Sequence, residues 1–287
     1  MKNHPPTDTT SRWTEGDAPQ VEHPYKLRVS GVSRTFQLPG GETLQALEDI
    51  NLEVNRGEFL CILGPSGCGK STLLNLMAGL DQPTSGEIWL DGHKVEGPAS
   101  DLIVIFQELG LFPWLTVREN VEFGLKMRGI SPAERRDRAQ EYLRLVQLSR
   151  FERSYVHQLS GGMKQRVALA RSLVMQPSVL FLDEPFAALD AQTRDLLHEE
   201  LERLWNQTGQ TIVFVTHNVR EAIRLGNRVL VLTFRPGQVK SAFPVELPRP
   251  RHLEDPALAI MAGEVLSQLK EEIAKAIQEE YENAPKS

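Results

Sequence analysis

An apolar stretch, Glu58–Leu63, runs into Gly64-Pro65-Ser66-Gly67-Cys68-Gly69-Lys70-Ser71-Thr72 and on into Leu73-Leu74-Asn75-Leu76. No other segment restricts the fold as strongly. Gly64 to Ser71 match the pattern G-x-x-x-x-G-K-S without a mismatch. Glycines let successive backbone N–H groups turn inward around a phosphate, and a helix after them adds its positive end. Lys70 supplies a point charge to the β- and γ-phosphates, and the Ser71 hydroxyl is a Mg²⁺ ligand. A glycine-rich turn without a ligand is the competing reading, and the strand before and helix after argue against it. The context is a strand–loop–helix unit of an α/β sheet.

A second acidic site follows downstream. Leu180-Phe181-Leu182-Asp183-Glu184-Pro185 is an apolar strand ending in two carboxylates. An acid at the end of a buried strand needs a strong partner. Asp183 suits Mg²⁺ held through water, and Glu184 suits a general base or a group orienting water at the γ-phosphate. The alternative is that Glu184 only caps the next helix.

The rest of the chain reads as alternating elements. Lys26–Phe36 and Gln45–Val54 alternate like half-exposed strands, separated by Pro39-Gly40-Gly41. A helix is expected over Ser71–Gly79, and strands over Gly86–Asp91 and Asp101–Gln107. Val117–Arg128 is a candidate helix. Ser131-Pro132-Ala133-Glu134 supplies an N-cap, a first-turn proline and a capping-box Glu for a helix to about Val146. Gly161–Met175 is a further helix. Val179–Asp183, Leu189–Gln207, Thr211–Thr216, Val219–Leu225 and Arg228–Leu232 then alternate strand and helix, which indicates a mostly parallel sheet covered on both faces. No internal repeat is visible.

Bulk properties exclude some functions. Net charge is −6, with 24% charged residues, so a broad basic face for nucleic acid is not expected. The longest apolar runs, such as Thr211–Val215, fall far short of the about 20 residues a membrane helix needs. The start, Met1 to Pro6, has no apolar core of a secretory signal, and Cys61 and Cys68 are the sole cysteines. A reducing, cytosolic setting is expected. Cys68 lies near a helix N-terminus, which lowers a thiol pKa, so it is expected to react with maleimides. A Cys61–Cys68 disulfide is not expected.

Residues 1–24, with four prolines, read as a flexible tail. Asp255–Tyr281 reads as an amphipathic helix, with Leu258, Met261, Val265, Leu266, Leu269, Ile273 and Ile277 on its apolar face. Glu271, Glu272, Glu279 and Glu280 are assigned to its polar face, which disfavours anionic lipid.

Between the phosphate loop and the acidic strand lies Leu159-Ser160-Gly161-Gly162-Met163-Lys164-Gln165. That heptad, in that order with the other two motifs, resembles the ATP-binding cassette of ABC transporters from about Lys26 to Arg251. The resemblance implies a P-loop NTPase (RecA-like) α/β core with an antiparallel β subdomain and a helical signature subdomain at about 108–165. The cassette would span 25–251, with 252–287 as a C-terminal helix. It implies ATP and Mg²⁺ as cofactors. Gln107, after Leu102–Phe106, matches a glutamine that touches Mg²⁺ and the attacking water. His217, after Thr211–Thr216, matches a histidine at the γ-phosphate. Phe36 matches an aromatic residue stacked on adenine, though strand alternation equally makes it core.

The resemblance also implies two copies. Ser160, Gly161 and Gly162 serve the nucleotide of the opposite subunit in the family, and Leu189-Asp190 resembles the loop crossing that interface. Leu111-Phe112-Pro113-Trp114-Leu115-Thr116-Val117 matches the region that receives a permease helix, with helical-subdomain core as the alternative. With Arg235-Pro236-Gly237 and Leu247-Pro248-Arg249-Pro250-Arg251, that run resembles the nitrate/sulfonate/taurine import group, whose cassettes work with transmembrane permeases and a solute-binding protein at the cytoplasmic membrane face. A soluble ABC ATPase acting on DNA or ribosomes is the rival. Chromosome-maintenance members insert coiled coils between loop and signature, and here 160 − 70 leaves 90 positions. Translation factors carry two cassettes, and a plain P-loop kinase leaves Leu159–Gln165 unexplained.

Overall fold

The computed structural model of the protein describes residues 24–283. The expected flexible tail lies, apart from Pro24, outside the described residues. Two sheets form the frame. An antiparallel sheet holds β1 (Leu27–Gln37), β2 (Thr43–Val54), β4 (Ser85–Leu90) and β5 (His93–Lys94), in the order β2-β1-β4-β5. A six-stranded sheet has β3 (Phe59–Leu63), β6 (Leu102–Ile105), β7 (Val179–Asp183), β8 (Thr211–Val215), β9 (Arg228–Leu232) and β10 (Val239–Pro244), in the order β10-β9-β3-β8-β7-β6. All pairs in it are parallel except β10 with β9.

Central strands read as unbroken apolar runs because both faces are covered. All five residues of β3 and of β8 are buried. One apolar cluster holds Phe59, Phe186, Phe214 and Leu180 against the helices; a second holds Leu60, Ile62, Phe181 and Val213 against the antiparallel sheet and α1 (Lys70–Met77). The short strands β5 and β10 were not expected from sequence. β10 is an edge strand with an alternating, half-exposed pattern, and its Ser-Ala content hides that alternation.

Helices α2 (Val117–Met127), α3 (Pro132–Leu145) and α4 (Gly161–Leu173) pack together on the β6 side. The capping box forms at α2, where Thr116 and Glu119 cap each other reciprocally. At α3, Ser131 accepts from the Glu134 N–H at 3.3 Å, but the Glu134 carboxylate turns to Arg138 at 2.6 Å. The box expected there stays half closed because an i,i+4 ion pair competes for the same carboxylate.

After α5 (Ala191–Thr208) and α6 (Val219–Leu225), the last described element is α7 (Pro256–Asn283), which packs on α6 and β9. Its buried stripe is Leu258, Ala262, Val265, Leu269, Glu272 and Ala276. Three expectations change here. Leu266 and Ile277 face outward, at 38% and 48% exposure, and Glu272 is buried at 1%. The stripe follows spacings of four and three through the glutamate because β10 offers a partner: Lys240 Nζ donates to Glu272 Oε1 at 2.9 Å, and the Phe234 N–H donates to Oε2 at 2.8 Å. Among the described residues, no helix is long and apolar enough to cross a membrane.

Candidate functional site

Four adjacent strands end at one edge of the large sheet. β3 delivers the Gly64–Thr72 loop, β8 delivers Thr216 and His217, β7 delivers Asp183 and Glu184, and β6 leads two residues on to Gln107. Parallel α/β sheets place ligands at such carboxyl ends. The register sets the spacing: Asp183 lies opposite Val215, and Ile105 opposite Leu182.

The loop is shaped by close approaches. Gly67 and Gly69 have φ of +74° and +97°, and a Cβ on Gly69 would lie 2.7 Å from Leu47 Cδ2. Only glycine fits both demands at position 69. Lys70 Nζ donates to the carbonyls of Gly64 and Pro65, both at 2.9 Å, so its ammonium folds across the loop. It is 7% exposed. Lys70, Ser71 and Thr72 open α1, whose first N–H groups have no intrahelical acceptor. Ser66 is exposed beside Pro65.

Ser71 Oγ donates to Asp183 Oδ1 at 3.1 Å. Burial pushes the Asp183 carboxyl up, against the Ser71 bond, and the neighbouring Glu184 adds to the rise. A hydroxyl and a half-buried carboxylate in contact form a hard-oxygen pair that fits Mg²⁺, an ion that keeps several waters and takes its remaining ligands from phosphate. Ser71 and Asp183 would hold it, and it would neutralise charge on the phosphates. Among the described residues, no cluster of three or more His, Cys, Asp or Glu offers an all-protein metal cage.

Glu184 takes the left-handed conformation, φ +45°, uncommon for a residue with a side chain. Its N–H donates to the Val215 carbonyl at 3.0 Å, tying β7 to β8. The turn throws the carboxylate toward β8, where Oε2 meets His217 Nδ1 at 2.9 Å. This pair, exposed at the sheet edge, can orient a water and share its proton. Gln107 is exposed two residues past β6, and Phe36 is half-buried in β1, with the Arg34 guanidinium 4.6 Å over its ring.

Behind His217 lies a buried polar chain that sequence reasoning missed. Thr216 Oγ1 donates to Glu221 Oε2, and Glu221 Oε1 meets His198 Nε2 at 2.5 Å. His198 and Glu221 come from α5 and α6, 23 positions apart. Nothing in a single sequence links them. Asn120, fully buried, was also missed: it accepts from the Phe112 N–H at 2.9 Å and donates to the carbonyls of Phe112, Leu115 and Thr116. This fixes the loop that leaves Trp114 70% exposed. Arg171 of α4 donates to the carbonyls of Leu109 and Gly110 and ties the same loop to the signature helix.

Ser160 caps α4, its Oγ accepting from the Met163 N–H at 3.3 Å. Gly161 and Gly162 lie against the Leu189–Thr193 segment, where a Cβ on Gly162 would meet Thr193 Cγ2 at 2.7 Å. Asp190 caps α5 from Oδ1, and its carboxyl is lowered by bonds from Thr193. Ser160 and Asp190 thus share one surface. Among the described residues no hydrogen bond joins that surface to Gly64–Thr72.

One expectation fails. Cys68 is 0% exposed, and burial pushes its thiol up, outweighing Lys70 and the backbone N–H groups. Its sulfur points into the space behind Gly64, so the helix terminus does not activate it. Cys61 and Cys68 are free thiols.

A nucleotide-binding edge of this kind defines a P-loop ATPase, and residues 47–187 match the ABC transporter family. The chain belongs to the ATP-binding proteins of that family. It is 50% identical over 222 residues to a nitrate import ATP-binding protein of Synechocystis, covering 77% of this chain and 83% of that protein. It is 46% identical over 217 residues to a taurine import ATP-binding protein of Roseobacter denitrificans, covering 76% and 81%. A solved dimeric ATP-binding cassette in a post-hydrolysis state, bound to ADP and Pi, is 36% identical; the match covers 77% of this chain and all of that one, with a TM-score of 0.68.

Proposed function

We propose that this chain is the ATP-hydrolysing subunit of a membrane importer, in which two copies close on ATP and open after hydrolysis. The observation that carries this reading is the separation of two anion-binding ends on one chain: the phosphate loop after β3, and the Ser160-capped end of α4 among the helices. The dimeric form of the solved relative supports the pairing. In this reading Lys70 and the N–H groups of Gly64–Thr72 hold the phosphates, with Phe36 against the adenine. Ser71 and Asp183, with Gln107, hold Mg²⁺. Glu184 takes the proton of the attacking water, and His217 keeps that carboxylate aimed. Ser160, Gly161, Gly162 and Asp190 of the second copy close over the γ-phosphate.

In this reading the exposed Trp114 loop docks a transmembrane permease, and the chain works at the cytoplasmic membrane face. A solute-binding protein takes part indirectly. The cargo is a small nitrate-, sulfonate- or taurine-type anion, a reading supported by the names of the relatives above.

Glu184→Gln tests the core of this reading. The variant is expected to bind MgATP, to lose at least ~100-fold in hydrolysis, and to elute as a dimer in ATP and a monomer in ADP. A monomeric Glu184→Gln protein with full turnover rules the reading out. Chain isolated from membranes is expected to bring an integral membrane protein with it; recovery with ribosomes or DNA instead would support the soluble ATPase.

A further inference from the structure

The turn between β9 and β10, Phe234-Arg235-Pro236-Gly237, has no part in the roles above, yet it forms the outer wall of the phosphate loop. Arg235 Nε donates to the Gly67 carbonyl at 3.0 Å. A Cβ on Gly67 would lie 3.0 Å from Arg235 Nη2, and one on Gly237 would lie 2.2 Å from the Cys68 carbonyl oxygen. Two consecutive loop carbonyls therefore face this turn. Because a trans peptide points its C=O and N–H in opposite directions, a Gly67 carbonyl held outward aims the Cys68 N–H inward. That N–H lies toward the Pro65 carbonyl at 3.4 Å, the same oxygen that accepts from Lys70.

The turn is in turn held by α7. Arg235 Nη1 pairs with Glu279 at 3.1 Å, and the Phe234 N–H donates to the buried Glu272 at 2.8 Å. The same turn is stitched to β2 by the Gly237 N–H on the Ala46 carbonyl at 2.9 Å. Helix, turn and loop thus form one line of contacts from the C-terminal element to the triphosphate site.

We propose that Arg235 is a positioning residue for nucleotide binding: braced by Glu279, its guanidinium fixes the Gly67–Cys68 peptide, whose N–H closes on the Pro65 carbonyl, and so holds the loop in the shape that receives the phosphates. The inference rests on the reading of Gly64–Thr72 as the phosphate site. Through Glu279, α7 sets nucleotide affinity and leaves the chemistry at Glu184 alone.

The test uses the full chain and two probes: MgADP binding by calorimetry, and steady-state ATP hydrolysis. Arg235→Ala is expected to weaken MgADP binding and raise KM for ATP roughly fivefold, the loss of one charge-assisted hydrogen bond at a half-exposed site, with kcat within about twofold. Arg235→Lys recovers part of the affinity, since a point charge cannot hold Nε and Nη contacts together. Glu279→Gln is expected to weaken binding about twofold, as partly exposed pairs do, and to add nothing in the Arg235→Ala background. A structural role alone would lower the melting temperature and leave KM unchanged. Should Arg235→Ala not fold, Arg235→Lys and Glu279→Gln decide by the same measures. Lys70→Ala separates the two levels. If it abolishes MgADP binding while the Arg235 and Glu279 variants bind as wild type, the inference is overturned and the phosphate site stands. If Lys70→Ala itself binds as wild type, the phosphate site fails and the inference with it.

Discussion

Cys68 sits in the middle of a loop built for an anion, yet its thiol points away from that anion. The same close packing that makes Gly64 a glycine, with a Cβ there 2.5 Å from Cys68 Sγ, encloses the sulfur. Desolvation raises its pKa, and raises that of Cys61 further. Both thiols are 0% exposed, so the thiolate that maleimide needs is scarce and inaccessible. The native protein is expected to label at least ~100-fold more slowly than the denatured chain, where both sulfurs react at once. Fast labelling of one thiol in the native state, slowed by ATP, would show that the loop opens more readily than its packing implies. The position of Cys68 beside a helix terminus was legible in the sequence; the direction of its side chain was not, because it is set by packing behind Gly64 in the buried cluster that also holds Leu232. Asp183, Glu184 and His217 were legible for the opposite reason. Each lies at or just past the end of an apolar strand, so strand register brings them to one end of the sheet.

Among elements, α7 was legible in period and misread in face. Its apolar positions define a stripe, and Glu272 lies inside that stripe, four residues before Ala276. The lysine that permits this is on β10, an edge strand the sequence did not signal. Burial alone would push the Glu272 carboxyl up, but donation by Lys240, Lys275 and the Phe234 N–H outweighs it, and its pKa lies at about 2. An unfolded glutamate titrates near 4.5. The pair therefore stabilises the fold fully above about pH 5, and the contribution disappears as pH falls from there to about 2. Glu272→Gln is expected to cost on the order of 3 kcal/mol at neutral pH, read as a drop in denaturant midpoint. The gap to wild type should close as acid is added, while Glu271, exposed at the rim of the same cluster, changes little when replaced. A gap that stays constant between pH 7 and pH 3 would mean that the carboxylate's charge is not what holds α7 to the sheet. The helix start at Val117 was legible but its capping box was not, since both Thr116–Glu119 and Ser131–Glu134 carry the capping spacing and the local Glu134–Arg138 ion pair takes the second carboxylate.

At the scale of the molecule, the chain carries two helix ends suited to anions and brings neither to the other. The loop end belongs to β3 and α1; the Ser160 end belongs to α4, packed with α2 and α3 and beside Leu189–Thr193. A single copy can fill its loop with nucleotide, but the Ser160 end then faces solvent. In the proposed dimer, two copies related by a two-fold axis would satisfy both ends at once, each offering its Ser160 and Asp190 surface to the loop of the other. Ser160→Arg separates these levels. Ser160 is exposed, so the larger side chain fits. Losing the cap and placing a cation at the N-terminus costs about 1–2 kcal/mol, which a chain of this size tolerates. MgADP binding should stay within about twofold of wild type, because the loop is untouched. ATP turnover should fall at least ~100-fold at every protein concentration, as removal of charge-stabilising donors does elsewhere. Wild-type turnover per molecule should itself decline on dilution as the pair dissociates. A Ser160→Arg protein that hydrolyses ATP at the wild-type rate, or wild-type turnover indifferent to dilution, would leave each copy complete alone and the second anion-binding end without a use.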